Sequence, residues 1–281
     1  MKDFRGHVAA ITGAASGMGR SLAERLAREG CHLALSDVEE VGLAETAASA
    51  RAHGVRVAVA RVDVADRVAV EAWAADVVRE FGKVNLIFNN AGVAVGATCE
   101  SVEHEDFSWV MNINFWGVVH GTQAFLPHLR ASGDGHVVNT SSLFGLVALP
   151  GVGTYNASKF AVRGFTEALR MDLEMSGAPV TATCVHPGGV RTNIARAGRM
   201  HHSVTALGRD PEDVRTRFDR LLSTTSADEA ARQILEGVRR RQRRVIVGWD
   251  AWAVDLFVRA LGSWYQPVVV FVAKTFLKRA G

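Results

Sequence analysis

The chain has 281 residues, 48% hydrophobic and 22% charged, with a formal net charge of +3. That length and apolar content allow one large folded unit or two small ones and exclude wholesale disorder. A charge so near balance leaves nucleic-acid binding to a local patch at most, and no nucleic-acid partner is expected. The cysteines Cys31, Cys99 and Cys184 lie far apart with no metal-ligand spacing, as expected of a reduced, cytoplasmic protein. Residues 1–5 lack a signal peptide's apolar stretch, and the longest uncharged apolar run, 260–273, is too short to span a bilayer and contains Pro267.

Short runs rich in Val, Ala, Leu and Ile recur at 7–12, 32–36, 55–62, 84–89, 136–140, 180–186 and 244–247. Such runs suit strands covered on both faces. Stretches long enough for crossover helices separate them, among them 19–29, 39–53 and 67–81. Strand and helix in alternation predict an α/β fold, a Rossmann-type doubly wound parallel sheet of about seven strands with helices on both faces. No Pro-, Gly- or Ser-rich linker divides the chain, so residues 1–281 read as a single domain. Within it, 190–226 reads as a polar, basic lid and 249–281 as an apolar C-terminal extension.

The first strand runs into Thr12-Gly13-Ala14-Ala15-Ser16-Gly17-Met18-Gly19 and then a helical pattern. Glycines permit a tight turn and a close approach of backbone to a pyrophosphate, whose charge the free N–H groups of a helix start stabilise. Asp37 closes the second strand, where a carboxylate accepts hydrogen bonds from ribose hydroxyls and repels a 2′-phosphate. NAD is therefore expected over NADP, with Arg20 the one nearby cation that could offset the repulsion. Asp63-Val64 ends strand three, where the acid could meet an adenine amino group. Asn89-Asn90-Ala91-Gly92 ends strand four, with small residues that let a cofactor pass.

Tyr155 and Lys159 stand at i and i+4, on one helical face. A free tyrosine has a pKa of about 10, and a nearby lysine ammonium and a nicotinamide positive charge are both expected to lower it toward a useful acid/base range. Ser142, ending strand five, offers a hydroxyl to steady a substrate oxygen. Asn114 lies in an apolar helical run, where a buried amide is either a water-holding relay or a satisfied structural group.

The glycine pattern, Asn89-Asn90-Ala91-Gly92, Asn114, Ser142, Tyr155-x-x-x-Lys159 and His186-Pro187-Gly188 together resemble the short-chain dehydrogenase/reductase family over about residues 5–195. The resemblance implies a catalytic four, Asn114, Ser142, Tyr155 and Lys159. In it Tyr155 is the acid/base, Ser142 polarises the substrate oxygen, Lys159 lowers the tyrosine pKa and binds the nicotinamide ribose, and Asn114 holds a water. It also implies cofactor contacts from Gly13, Ser16, Gly17, Met18, Gly19, Asp37, Asp63, Val64, Asn90, Ala91, Gly92, Tyr155, Lys159, Pro187, Gly188, Val190 and Thr192, and a homodimer or homotetramer.

Leu146, Val147, Ala148, Leu149, Pro150 and Val152 are expected to face Val93, Ala94 and Val95 across an apolar substrate pocket. That favours a hydrophobic secondary alcohol or ketone, steroid-like, terpenoid, aryl or long aliphatic. Arg191, Arg196 and Arg199 in the lid leave a 3-oxoacyl thioester open, and an NAD-sensing protein without turnover is the non-enzymatic alternative. No metal is expected; His201-His202 has no further ligands at suitable spacing. The arginine run at 239–244 is read as a basic helix end and strand, or as an attractor of anionic lipid or nucleic acid. Trp249, Trp252, Phe257, Leu261 and Trp264 form an apolar stripe suited to subunit packing or peripheral membrane contact.

Overall fold

A computed structural model of the chain describes residues 3–207 and 224–278. Strands β1 (Val8–Thr12), β2 (His32–Asp37), β3 (Val57–Arg61), β4 (Leu86–Asn89), β6 (Gly135–Thr140), β7 (Val180–Pro187) and β9 (Arg244–Val247) form one parallel sheet. Their order is β3-β2-β1-β4-β6-β7-β9, so the winding reverses between β1 and β4. In such sheets the crevice beyond the carboxyl ends at the reversal is where ligands bind. Strand β1 is buried at every position, which explains why its sequence runs apolar without alternation.

Helices cover both faces. On one, α1 (Gly17–Arg28), α2 (Glu40–Arg51) and α7 (Ala227–Arg239) bury Leu22, Leu26, Leu43 and Ile234 against the sheet. On the other, α3 (Arg67–Phe81), α5 (Gly117–Ala131) and α6 (Gly153–Met175) contribute Trp73, Phe125 and Leu173. Trp73 and Phe125 meet edge to face with ring centroids 5.0 Å apart. Cys31 and Cys184 are buried core residues, as their places in strand-like runs predict.

Three features go beyond the sequence reading. The lid region is not wholly irregular: Arg199–Met200 forms a short strand, β8, paired in parallel with β5 (Val95–Gly96), which pins this segment beside β4. Residues 208–223 of the expected lid lie outside the described residues. The arginine run is no free basic patch. Arg239 pairs with Glu29, Arg240 with Glu236, Arg241 with Asp134 at 2.6 Å, Arg243 with Glu174 at 2.8 Å and Arg244 with Glu167 at 2.7 Å. Finally, the apolar extension is two helices, α8 (Trp249–Leu261) and α9 (Tyr265–Lys278), separated by Gly262 at φ 54° and a 3₁₀ turn.

Candidate active site

The β1–α1 turn is built for close backbone approach. Gly13 (φ 66°) and Gly17 (φ 54°) occupy left-handed conformations, and a β-carbon on Gly19 would run into the Gly13 carbonyl oxygen. Helix α1 then begins at Gly17 with neither a side-chain cap from Ser16 nor an acid in its first turn. Helices α2, α3 and α7, by contrast, are capped by Glu39, Asp66 and Ser226. Uncapped N–H groups at a glycine turn fit a phosphate-bearing cofactor.

Asp37 sits at the end of β2, where one oxygen accepts from the Ala15 N–H at 2.9 Å and the other from the Glu39 N–H at 3.1 Å. It is therefore fastened to the glycine turn, while Glu39, not Asp37, caps α2. Arg20 is fully engaged elsewhere. Its guanidinium donates to the Ala15 carbonyl at 2.6 Å and to Glu45 at 2.9 Å. Asp63 lies two residues past β3, exposed, accepting from the Ala65 N–H; Val64 beside it is buried under Gly117.

Thr12, which the sequence reading passed over, ties the β4 end to the turn. Its hydroxyl accepts from the N–H groups of Asn90 (3.0 Å) and Ala91 (3.1 Å). The Asn90 amide returns two bonds, to the carbonyls of Thr12 and Gly13. Asp250 is a second omission: its carboxylate accepts from the Gly189 N–H at 2.6 Å and packs directly on Gly188, bracing the turn after β7. Thr12 opens the glycine pattern and Asp250 lies outside every motif, but the role of both was hidden because each acts on backbone brought near only by folding. Thr192 closes the circle, its methyl lying against Gly17.

One cleft gathers Met18, Asn90, Gly92, Ser142, Tyr155, Lys159, Pro187, Gly188, Val190 and Thr192. Asp37, Asp63 and Val64 lie along the same sheet edge but outside its lining. The apolar walls differ from expectation. Ala94 and Val152 line the cleft, joined by Leu143, Phe144 and Ile194, whereas Leu146, Val147 and Val95 turn inward to pack in the core. The cause is a 3₁₀ turn, Leu143–Gly145, nucleated when the Ser142 hydroxyl accepts from the Phe144 N–H at 3.1 Å.

Lys159 is buried and donates to the Thr140 carbonyl at 3.0 Å, with its ammonium 5.5 Å from the Tyr155 ring centroid. Burial holds this ammonium down at about 8. Burial likewise pushes the Tyr155 phenol up to about 12, against a lowering hydrogen bond with Ser142. In the protein without cofactor the phenol is thus raised, because loss of water around the phenolate outweighs the one hydrogen bond that lowers it. Asn114 is fully buried in a π-helical turn, Asn112–Trp116, between α4 (His104–Met111) and α5. Its amide accepts from the Val93 N–H (2.8 Å) and donates to the Val93 carbonyl (2.9 Å) and the Ser158 hydroxyl (3.1 Å). These bonds use both amide hydrogens and tie the side chain to the loop after β4 and to α6. Gly92 fits between Asn114 and Lys159 because a β-carbon there would lie 3.3 Å from one and 3.5 Å from the other.

A doubly wound sheet with a glycine turn at its reversal and a buried Tyr-Lys pair beside a serine defines a nucleotide-dependent oxidoreductase of the short-chain type. Residues 7–202 match the short chain dehydrogenase family model. The chain is 50% identical to SadH of Mycobacterium tuberculosis over 277 residues, spanning 98% of this chain and 99% of SadH. It is 37% identical to the 1-deoxy-11-beta-hydroxypentalenate dehydrogenase of Streptomyces avermitilis, over 79% of this chain and 77% of that enzyme. A crystal structure of a short-chain dehydrogenase/reductase from Burkholderia phymatum in complex with NAD superposes with a TM-score of 0.85 at 34% identity, covering 93% of this chain and 95% of that one. The chain belongs to the short-chain dehydrogenase/reductase family and is an oxidoreductase.

Proposed function

We propose that the protein interconverts a hydrophobic secondary alcohol and its ketone with NAD as cofactor. The observation that carries this reading is the Tyr155 phenol, hydrogen-bonded to Ser142, in a cleft whose facing wall of Leu143, Phe144, Val152 and Ile194 is apolar. The uncapped start of α1 at Ser16, Gly17, Met18 and Gly19 would hold the cofactor's pyrophosphate, and Asp37 its adenosine ribose. When bound, the nicotinamide ring supplies hydride transfer.

The chain's own groups manage the proton. Ser142 fixes the substrate oxygen beside Tyr155, and in the direction of ketone reduction the neutral phenol gives that oxygen its proton as charge develops there. In the oxidising direction the same oxygen of Tyr155 receives the alcohol proton, and Lys159 supplies the positive potential that stabilises the phenolate. Asn114 holds the loop after β4 through Val93, which keeps Gly92 clear beside Lys159.

Two features support the finer assignments. Arg20 is bonded to Ala15 and Glu45, and Arg61, opposite Asp37 on β3, pairs with Glu40 at 3.3 Å, so among the described residues both nearby cations are engaged rather than free to offset Asp37's repulsion of a 2′-phosphate, which favours NAD. Arg199 of the lid is paired with Asp106 at 2.6 Å and stacked on Trp109, so it offers nothing to an acidic or thioester substrate. The 1-deoxy-11-beta-hydroxypentalenate dehydrogenase among the relatives is named for a hydroxylated substrate, which supports oxidation of an alcohol. The test is reduction of NAD⁺ and NADP⁺ in parallel across secondary alcohols from small aliphatic to steroid-sized, with the ketones run in reverse. Turnover that rises with apolar bulk and prefers NAD is expected. A preference for NADP, or turnover confined to acyl thioesters, would overturn the reading.

A further inference from the structure

The two-helix tail leaves its apolar side uncovered. Trp249, Trp252 and Leu256 fall at i, i+3 and i+7 on one face of α8, exposed by 73%, 60% and 69%. Trp264, in the connecting turn, and Phe271 of α9 are exposed by 73% and 69%. Exposed apolar surface of this extent marks an interaction site. The pose of the tail is fixed from beneath, by Asp250 on the Gly189 N–H, by Asp255 against Arg244, and by the Tyr265 hydroxyl on the Ala148 N–H at 3.2 Å.

Charge tells what covers it. The acids of the tail, Asp250 and Asp255, are both turned inward on these bonds. What remains outward is cationic: Lys274 is exposed, Arg259 is 60% exposed even while paired with Asp255, and the sequence continues to Lys278 and Arg279. Taken together, Trp249–Lys274 is long and apolar enough to cross a membrane, but α8 and α9 run only 13 and 14 residues, about 20 Å each at 1.5 Å per residue, Gly262 separates them, and Asp255 of α8 is tied back to Arg244 of the sheet. Apolar aromatics with basic neighbours and no outward acid describe a segment lying in the interface of a lipid surface. We infer that α8 and α9 form an interfacial anchor that seats the protein on an anionic phospholipid bilayer.

The experiment uses the full chain with unilamellar vesicles of phosphatidylcholine, with and without about one-third phosphatidylglycerol. Co-sedimentation should rise with the phosphatidylglycerol content and fall with salt. Tryptophan emission should shift to the blue, since three of the six tryptophans lie on this surface. The double variant W252E/L256E alters only exposed positions and should lose vesicle binding at least tenfold while retaining its melting temperature and nicotinamide-cofactor binding. Wild-type protein that stays in the supernatant with both vesicle types overturns the proposal. So does a variant that binds vesicles as before but changes from dimer to monomer in light scattering, which would assign this face to a second copy. Neither readout depends on turnover, so failure here leaves the proposed reaction untouched.

Discussion

The ammonium of Lys159 lies 5.5 Å from the centroid of the Tyr155 ring, and burial shifts the two groups in opposite directions, the lysine down to about 8 and the phenol up to about 12. Both shifts disfavour charge in the same small volume. A site of this kind is neutral-leaning until something else brings charge to it, which fits a residue that must give up a proton only during reaction.

The phenol titration is directly visible. The chain has two tyrosines, Tyr155 and Tyr265. In the cofactor-free protein, the difference in tyrosinate absorbance between wild type and Tyr155→Phe should show no ionisation of Tyr155 below about pH 11. A difference step near pH 7 or 8 would mean that Lys159 already controls the phenol without help. The same variant should bind cofactor as before and lose turnover by about 10²–10⁴, the range that positioned proton transfer supplies. Unchanged turnover would remove Tyr155 from the chemistry.

Lys159 carries a stability consequence. Its folded pKa, about 8, lies below its ordinary 10.5, so between these values the unfolded chain binds more protons than the folded one. Stability from this group therefore rises with pH through that window, by up to about 3 kcal/mol, and is lost below it. The buried Cys184 thiol, pushed up to about 12, acts oppositely above pH 9, so the comparison must be with Lys159→Met rather than with pH alone. Urea unfolding of both proteins from pH 7 to 10 should show the variant more stable at pH 7 and the gap closing by pH 10. A constant gap would show that the lysine ammonium is well solvated after all.

Much of this arrangement was legible in the sequence, and the reasons are local. The glycine turn, Asp37, Ser142 and the Tyr155–Lys159 spacing are read from contiguous residues whose backbone conformation and side-chain chemistry are set within a few positions. The doubly wound sheet follows because strands buried on both faces write themselves as apolar runs. What sequence did not disclose depends on distant partners. Thr12 and Asp250 work on backbone 78 and 61 residues away. Arg20 and the 239–244 arginines look free until acids from other elements arrive. The 3₁₀ turn that sends Leu146 and Val147 inward buries Val147 against Ile246 and Ala251, from elements about 100 residues further along the chain. The burial of Tyr155 was not legible either, because spacing reads the proximity of a cation and not the depth of a side chain.

Asp37 sets the cofactor choice. Asp37→Asn keeps an acceptor for the Ala15 N–H while removing the charge that repels a 2′-phosphate. The ratio of kcat/KM for NAD⁺ over NADP⁺ should fall about tenfold or more, the repulsion being partly screened at this half-exposed site. Steady-state kinetics with both cofactors reads this ratio, and an unaltered ratio would take the ribose role from Asp37.

Acid should unfold the protein through two buried histidines. His136 places Nε2 2.8 Å from the Thr183 hydroxyl, which itself donates to the Gln242 carbonyl, so the ring N–H points at Thr183 and Nδ1 is left without a partner. His186 donates from Nδ1 to the Ser142 carbonyl at 2.9 Å, and its Nε2 is likewise unpartnered. Protonation would place a charge on an orphaned, buried nitrogen. Burial, with Arg170 near one ring and Arg244 near the other, therefore holds them down at about 3 and about 4 from an ordinary 6.5. The unfolded chain takes up these protons first, so stability is intact above pH 6.5 and falls as pH drops through 4, by about 3 kcal/mol for each histidine at that pH. Denaturation midpoints between pH 7 and 4 should fall less steeply in His136→Gln and in His186→Asn than in wild type. Because His186 also holds the Ser142 carbonyl, its variant alone should raise KM for substrate at pH 7. Parallel pH slopes in all three proteins would mean that these rings are hydrated in solution and carry no part of the acid sensitivity.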